Sequence, residues 1–136
     1  MGIKKITRVY IRQMPNTSPP IMNQDMLQQE LSIAQSKAKC DYALFLAATK
    51  GNEDELARIT KSTRVMGVKL YLNNTFGQLC LPSMLDWMGH FEKLPKNVPI
   101  CAHAEQQTTA AVILMAHLYD RHVHICHVAR EEEIVV

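Results

Sequence analysis

Apolar runs of strand length alternate along the chain with stretches whose apolar residues recur at helical spacing. Residues 6–14 read as a weak first strand, and Pro15, Pro19 and Pro20 force a loop behind it. Asn23 stands where an N-cap is expected, ahead of a helix over residues 24–39 with Met26, Leu27, Leu31, Ile33 and Ala34 as its apolar positions. Residues 42–48 (YALFLAA) form an unbroken apolar strand, residues 50–60 a short polar helix, and residues 65–72 (VMGVKLYL) a third strand. A polar loop over 73–78 leads to a helix over 82–94, with Pro82 in its first turn. A strand over 98–103, an Ala-rich helix over 106–120 and a strand over 122–127 follow, and the closing segment begins another helix.

Continuous apolar strands separated by helices predict parallel strands buried on both faces, in units of about 25–35 residues. A barrel and an open doubly wound sheet both satisfy this pattern. No GxGxxG loop follows any strand, which counts against a dinucleotide-binding sheet.

Composition narrows the function classes more than the fold. Of 136 residues, 47% are hydrophobic and 21% charged, ordinary for one globular domain. A net charge of +2, with scattered basic residues, argues for neither nucleic acid nor a membrane surface. The densest charged run, Arg130 to Glu133, reads as the solvated first turn of a helix. Cys40, Cys80, Cys101 and Cys126 show no CxxC spacing and lie in or beside apolar runs, so free thiols in a reducing compartment are expected. No stretch of about 18 apolar residues is present. The N-terminal residues lack the apolar run of a signal peptide, so a cytoplasmic location is expected.

The informative positions are polar residues at strand C-terminal ends, where parallel α/β folds build their sites. Lys69 interrupts VMGVKLYL. A lysine there needs a route to water, a partner, or chemical modification; a Schiff-base lysine and a carbamylated, metal-bridging lysine are the functional readings. His103 ends PICAH and His127 ends VHICH. Two strand-end histidines beside a strand-end lysine suggest metal ligation, although each alone is more often structural. By strand alternation His122 and His124 should face away from His127, in structural or surface roles. His90 and His117 lie in helices and read as surface or packing residues, and Cys126 as a buried inert thiol or a neighbour of a metal. Asn16, in MPNTSPP, is a turn former or a substrate contact, and Thr75 lies in a polar loop at the same mouth.

Taken in order, MPNTSPPI, CDYALFLAA, GVKLYLNNTF, WMGHFE, PICAHAEQQT and VHICHVAREEE resemble the dihydroorotase family, in the form carried by animal multifunctional pyrimidine-synthesis proteins. The resemblance covers residues 14–136. It implies an α/β fold: a partial eight-stranded TIM-type barrel, with about five parallel strands here, and residues 1–136 as one domain that is a fragment of an amidohydrolase barrel. It further implies a binuclear zinc site that interconverts N-carbamoyl-L-aspartate and dihydroorotate in pyrimidine biosynthesis. Lys69 matches the carbamylated lysine shared by the two metals. His103 and His127 match the histidines of one metal, Asn16 a substrate-carboxylate contact, and Thr75 the loop over the site. A homo-oligomer, and fusion to carbamoyl phosphate synthetase and aspartate carbamoyltransferase domains, are the implied partners; nucleic acid and membrane are not.

The family's first-strand HxH and following arginine do not occur before Met14, and its late aspartate would lie beyond Val136. The 136 residues alone are therefore expected to be inactive. Two other classes stay open: a Schiff-base lyase using Lys69, and a non-catalytic assembly module derived from this fold.

Overall fold

The computed structural model describes residues 9–12, 17–75 and 79–135. Among these residues five strands, β1 (Val9–Arg12), β2 (Asp41–Ala47), β3 (Val65–Tyr71), β4 (Ile100–His103) and β5 (Val123–Ile125), alternate with four helices, α1 (Gln24–Lys37), α2 (Glu53–Ile59), α3 (Met84–Lys93) and α4 (Gln107–Leu118). All strand pairs are parallel, and the sheet runs β1-β2-β3-β4-β5. The order never reverses, so the sheet has no switch point of the doubly wound kind. Of the two architectures the apolar pattern allowed, this is the barrel type, present as a partial barrel.

The two faces of the sheet differ. Leu44, Leu46, Val68, Leu70, Ile100 and Ala102 face the helices and form one core with Leu27, Leu56, Trp87, Phe91, Val112 and Met115. The alternate positions Phe45, Ala47, Lys69, Tyr71 and Cys101 are also buried but stand outside that core, on the concave face. There Phe45 lies opposite Gly67, where a Cβ would come within 2.6 Å of both the Phe45 ring and the Pro99 carbonyl oxygen. Glycine is what lets strand and ring approach this closely.

Element ends follow local chemistry. The Asn23 side chain accepts from the Met26 N–H at 2.9 Å, the expected N-cap of α1. The helix stops at Lys37 rather than at residue 39, because Ala38 is already extended. Helix α2 starts three residues later than its polar pattern suggests. Gly51, at φ +81°, and Asn52 form a turn in which Asn52 accepts from Thr49 N and donates to Met22 O and Ala47 O. Helix α3 begins after Ser83, whose hydroxyl accepts from Leu85 N, so Pro82 lies outside it. The expected closing helix is a single 3₁₀ turn, Glu131–Glu133. Its acidic run is not uniformly solvated either: Glu131 and Glu132 are exposed, but Glu133 is buried because its carboxylate turns back onto backbone amides.

No disulfide joins the described cysteines. Among the described residues no helix is long and apolar enough to cross a membrane.

A candidate metal-binding mouth at the strand ends

The ladder sets which residues share a face. Lys69 pairs with Cys101, and Cys101 with His124, so these three form one row across β3, β4 and β5. The next row toward the strand C-termini pairs Tyr71 with His103. Lys69, Tyr71, Cys101 and His103 therefore all project from the concave face. So does His124, contrary to the expectation that it would face away from the site. Strand β5 ends at Ile125, and His127 lies two residues beyond, where strand alternation no longer holds. His122 precedes β5 and is exposed.

His103 and His127 come together. Their rings meet edge to face with centroids 5.5 Å apart, and Tyr71 borders His103 at 6.2 Å. His103 Nε2 lies 3.0 Å from Glu105 Oε1, a carboxylate oxygen that accepts from it and orients the ring; in the neutral imidazole this places the lone pair on Nδ1. A carboxylate holding the second nitrogen is the usual support of a metal-ligating imidazole. Glu105 is held in turn: its N–H donates to Asn73 Oδ1 at 2.8 Å, and its carboxylate lies 3.9 Å from the Arg130 guanidinium. Nothing in the sequence singles out Glu105, two residues past His103.

The loop that carries His127 is clamped to the loop after β4. Glu133 Oε1 accepts from Gln106 N at 2.7 Å, while Oε2 accepts from Ala129 N at 2.9 Å and Arg130 N at 3.2 Å. One carboxylate thus ties the loop after β4 to the loop after β5. These amides, Gln106 first, hold the Glu133 carboxyl below its ordinary range. Gln106 adopts φ +53° in this arrangement.

Lys69 is 4% exposed. Its amine lies over the Tyr71 ring, 5.0 Å from the centroid, and contacts Cys126 Sγ at 2.6 Å. Cys126 is half-buried and engaged, so the inert-thiol expectation is corrected. Its thiol is lowered to about 5, first by a hydrogen bond from Cys101; burial opposes this, and the hydrogen bond and charge of Lys69, then the charge of His124, add to it.

Thr75 is half-buried on the loop after β3, two residues past Asn73. Asn16 lies outside the described residues, as do 76–78 of the same loop as Thr75. His90 is fully buried in α3 and its Nε2 meets the Thr49 carbonyl at 3.1 Å, a packing role; His117 is exposed.

Zinc tests this arrangement. Among the described residues no three His, Cys, Asp or Glu side chains are grouped to hold a metal ion. Two imidazoles fit, one with its orienting carboxylate, but a zinc site takes at least three protein donors and an unmodified lysine is not one. The donor set therefore fits zinc only with Lys69 converted to a carbamate, which supplies anionic oxygens.

No family model matches the chain. It is 50% identical over 123 residues to the multifunctional protein CAD of Squalus acanthias, covering 90% of this chain and 5% of that protein. It is 40% identical over 122 residues to the multifunctional protein pyr1-3 of Dictyostelium discoideum, covering 89% of this chain and again 5% of the relative. The chain thus spans about a twentieth of the curated relatives it matches. Among solved structures it resembles the inactive dihydroorotase-like domain of the Chaetomium thermophilum CAD-like multifunctional protein, with TM-score 0.79, 20% identity, and coverage of 93% of this chain and 36% of that one. It also resembles the L-hydantoinase (dihydropyrimidinase) of Arthrobacter aurescens, with TM-score 0.82, 15% identity, and coverage of 93% and 35%. At these identities the structural matches establish the fold alone, a partial barrel of parallel strands and helices. The sequence matches bear out the resemblance to multifunctional proteins of this type.

Proposed function

We propose, for a chain related to CAD-type multifunctional proteins and folded as part of an amidohydrolase barrel, that residues 1–136 are the part of a dihydroorotase-type domain that carries the shared lysine and two histidines of its metal centre. The complete domain interconverts N-carbamoyl-L-aspartate and dihydroorotate in de novo pyrimidine synthesis, in the cytoplasm. It works as a homo-oligomer and within a fusion that also carries carbamoyl phosphate synthetase and aspartate carbamoyltransferase domains. The observation that carries the reading is the meeting of His103 and His127 at the mouth, with the His103 ring held by Glu105 and Lys69 on the same concave face.

Zinc would be held by His103, by His127 and by Lys69 as its carbamate. When bound it supplies charge that polarises an amide carbonyl and acidifies a water. The chain's own residues do the positioning. Glu105 fixes the His103 tautomer, Glu133 holds the His127 loop against the β4 loop, and the apolar strands keep bulk water from Lys69. Asn16 and Thr75 are assigned to the substrate, the former to its carboxylate and the latter to a loop that covers it.

The test is zinc content and turnover together. Bicarbonate should increase the zinc retained after dialysis, and Lys69→Ala, His103→Ala or His127→Ala should each lower it by at least tenfold. Turnover of carbamoyl aspartate is expected from a polypeptide that adds the first-strand HxH and the late aspartate, and none from the 136 residues alone. Zinc retention indifferent to all three substitutions overturns the reading. Borohydride trapping of a carbonyl compound on Lys69 would assign a Schiff-base lyase instead.

A second reading, a non-catalytic assembly module, is favoured by the Lys69–Cys126 contact, which occupies the amine that carbamylation needs. It expects no bicarbonate dependence and no turnover in the longer polypeptide.

A further inference from the structure

We propose that His122 and His124 form a second cation site, separate from the mouth, that takes a divalent metal of the nickel and copper type. The two histidines share a cavity of about 320 Å³ at the N-terminal end of β4 and β5. The segment that leads into β4 supplies the facing wall, with Lys96, Asn97, Val98 and Pro99. Lys69, His103 and His127 do not line it.

The ladder and the cavity together place the pair. Val123, between the two histidines, pairs with Ile100 and packs against the helical core. His124 pairs with Cys101 on the opposite, concave face. His122 stands one residue before β5, so strand alternation does not by itself fix its side; the cavity it shares with His124 does. Residues two apart on a strand are separated by about 6.6 Å. Two imidazoles at that spacing can converge on one ion, with bonds of about 2 Å each. Both histidines are exposed, and among the described residues neither ring makes a hydrogen bond, unlike His90 and His103. A metal therefore displaces no existing bond.

The donors choose the metal. Two imidazoles line the cavity with the Asn97 amide, and no carboxylate or thiol joins them. That is not the group of three His, Cys, Asp or Glu side chains that zinc takes. Calcium and magnesium call for oxygen ligands throughout. Nickel(II) and copper(II) suit a set of nitrogen and oxygen donors completed by water, and imidazole binding strengthens from cobalt through nickel to copper. The Lys96 amine is held on the Tyr119 and Asp120 carbonyl oxygens at the end of α4, so its charge is engaged there. The site stands on the cavity and its two histidines, whatever reaction the mouth serves.

Nickel(II) is the probe, because it leaves the four thiols unoxidised. The 136-residue chain is titrated with nickel chloride, and paramagnetic broadening of each histidine ring signal is followed by NMR. The His122 and His124 signals should broaden together, at lower nickel than those of exposed His117. Substituting either partner, as His122→Asn or His124→Ala, should shift the broadening of the other to roughly tenfold higher nickel or more, at least the loss that follows removal of an outer-shell partner. His103→Ala should leave the pair's titration where it was. Broadening of His122 and His124 no sooner than His117, either one broadening unchanged when the other is replaced, or loss of the pair's titration in His103→Ala would each overturn the proposal. His122 is exposed and precedes the strand, so His122→Asn tests the chelate without disturbing the sheet.

Discussion

Glu133 accepts the backbone N–H of Gln106 with one oxygen and the N–H groups of Ala129 and Arg130 with the other, so two loops of the mouth are held by a single side chain. Glu133→Gln, which replaces one acceptor oxygen by a donor, should release one loop. In hydrogen exchange the Gln106 and Ala129 amides should be slow in the parent and fast in the variant, while β3 amides stay protected. Unchanged exchange at both amides would mean that the loops are held by something else. The same bonds hold the Glu133 carboxyl below 4.5, its ordinary value. Its contribution is therefore full above that value and is lost as pH falls through the lower, folded one. Protection at Gln106 should fail in acid before the strands unfold.

His90 adds a second acid-sensitive element at a higher pH. Burial holds its imidazole below 6.5, with the Thr49 carbonyl bond and nearby carboxylates opposing only in part. The unfolded chain therefore takes up the proton first. The stability due to neutral His90 is full above 6.5 and is lost as pH falls through its lower folded value. Thermal unfolding midpoints measured from about pH 8 down to pH 5 should fall on this account. His90→Gln, which keeps a donor for Thr49, should flatten the fall. A slope as steep in the variant would place the titrating group elsewhere.

Gly67→Ala should destabilise the chain by about 1–3 kcal/mol, because the new methyl meets the Phe45 ring and the Pro99 carbonyl at once. The ring can turn but the carbonyl belongs to the backbone beside β4. Urea denaturation reads the loss directly. Phe45→Leu should recover only part of it, since the carbonyl clash remains; full recovery would show that the ring alone sets the limit.

Arg121 stands just before β5 with its guanidinium buried under the loop that leaves α3. Nη1 donates to Phe91 O and Leu94 O, and Nη2 to Pro95 O and Val98 O. Carbonyls of the last turn of α3, its C-cap and the loop that follows share one planar cation. Arg121→Lys should cost about 2–4 kcal/mol, because one ammonium cannot span the same fan of acceptors. Denaturant midpoints of the parent, the lysine variant and Arg121→Ala should fall in that order, and a lysine variant as stable as the parent would contradict the role.

Much of the fold was legible because the strands of VMGVKLYL and YALFLAA type are apolar on both faces, and only buried parallel strands tolerate that. Their spacing also gave the number of units. The ends were less legible: Ser83, Asn52 and Ala38 set them through side-chain bonds and single dihedrals that periodicity does not register. At the mouth, His103 and His127 stood out as polar residues closing apolar runs, and the structure brings their rings together. Glu133 did not stand out, and Cys126 reads from the sequence as an inert thiol more readily than as the neighbour of a metal. A glutamate in an acidic run looks solvated until the loop doubles back, and a cysteine in an apolar run looks inert until a lysine two strands away reaches it. His124 was misplaced because alternation was extended past the last paired residue, Ile125.

The unreversed strand order has a consequence for how such a chain is made. Every strand after the first settles beside the one synthesised just before it, so the growing polypeptide never has to hold a gap open for a later insertion. Assembly can follow translation one βα step at a time, each step closing a contact over roughly one repeat's length of chain.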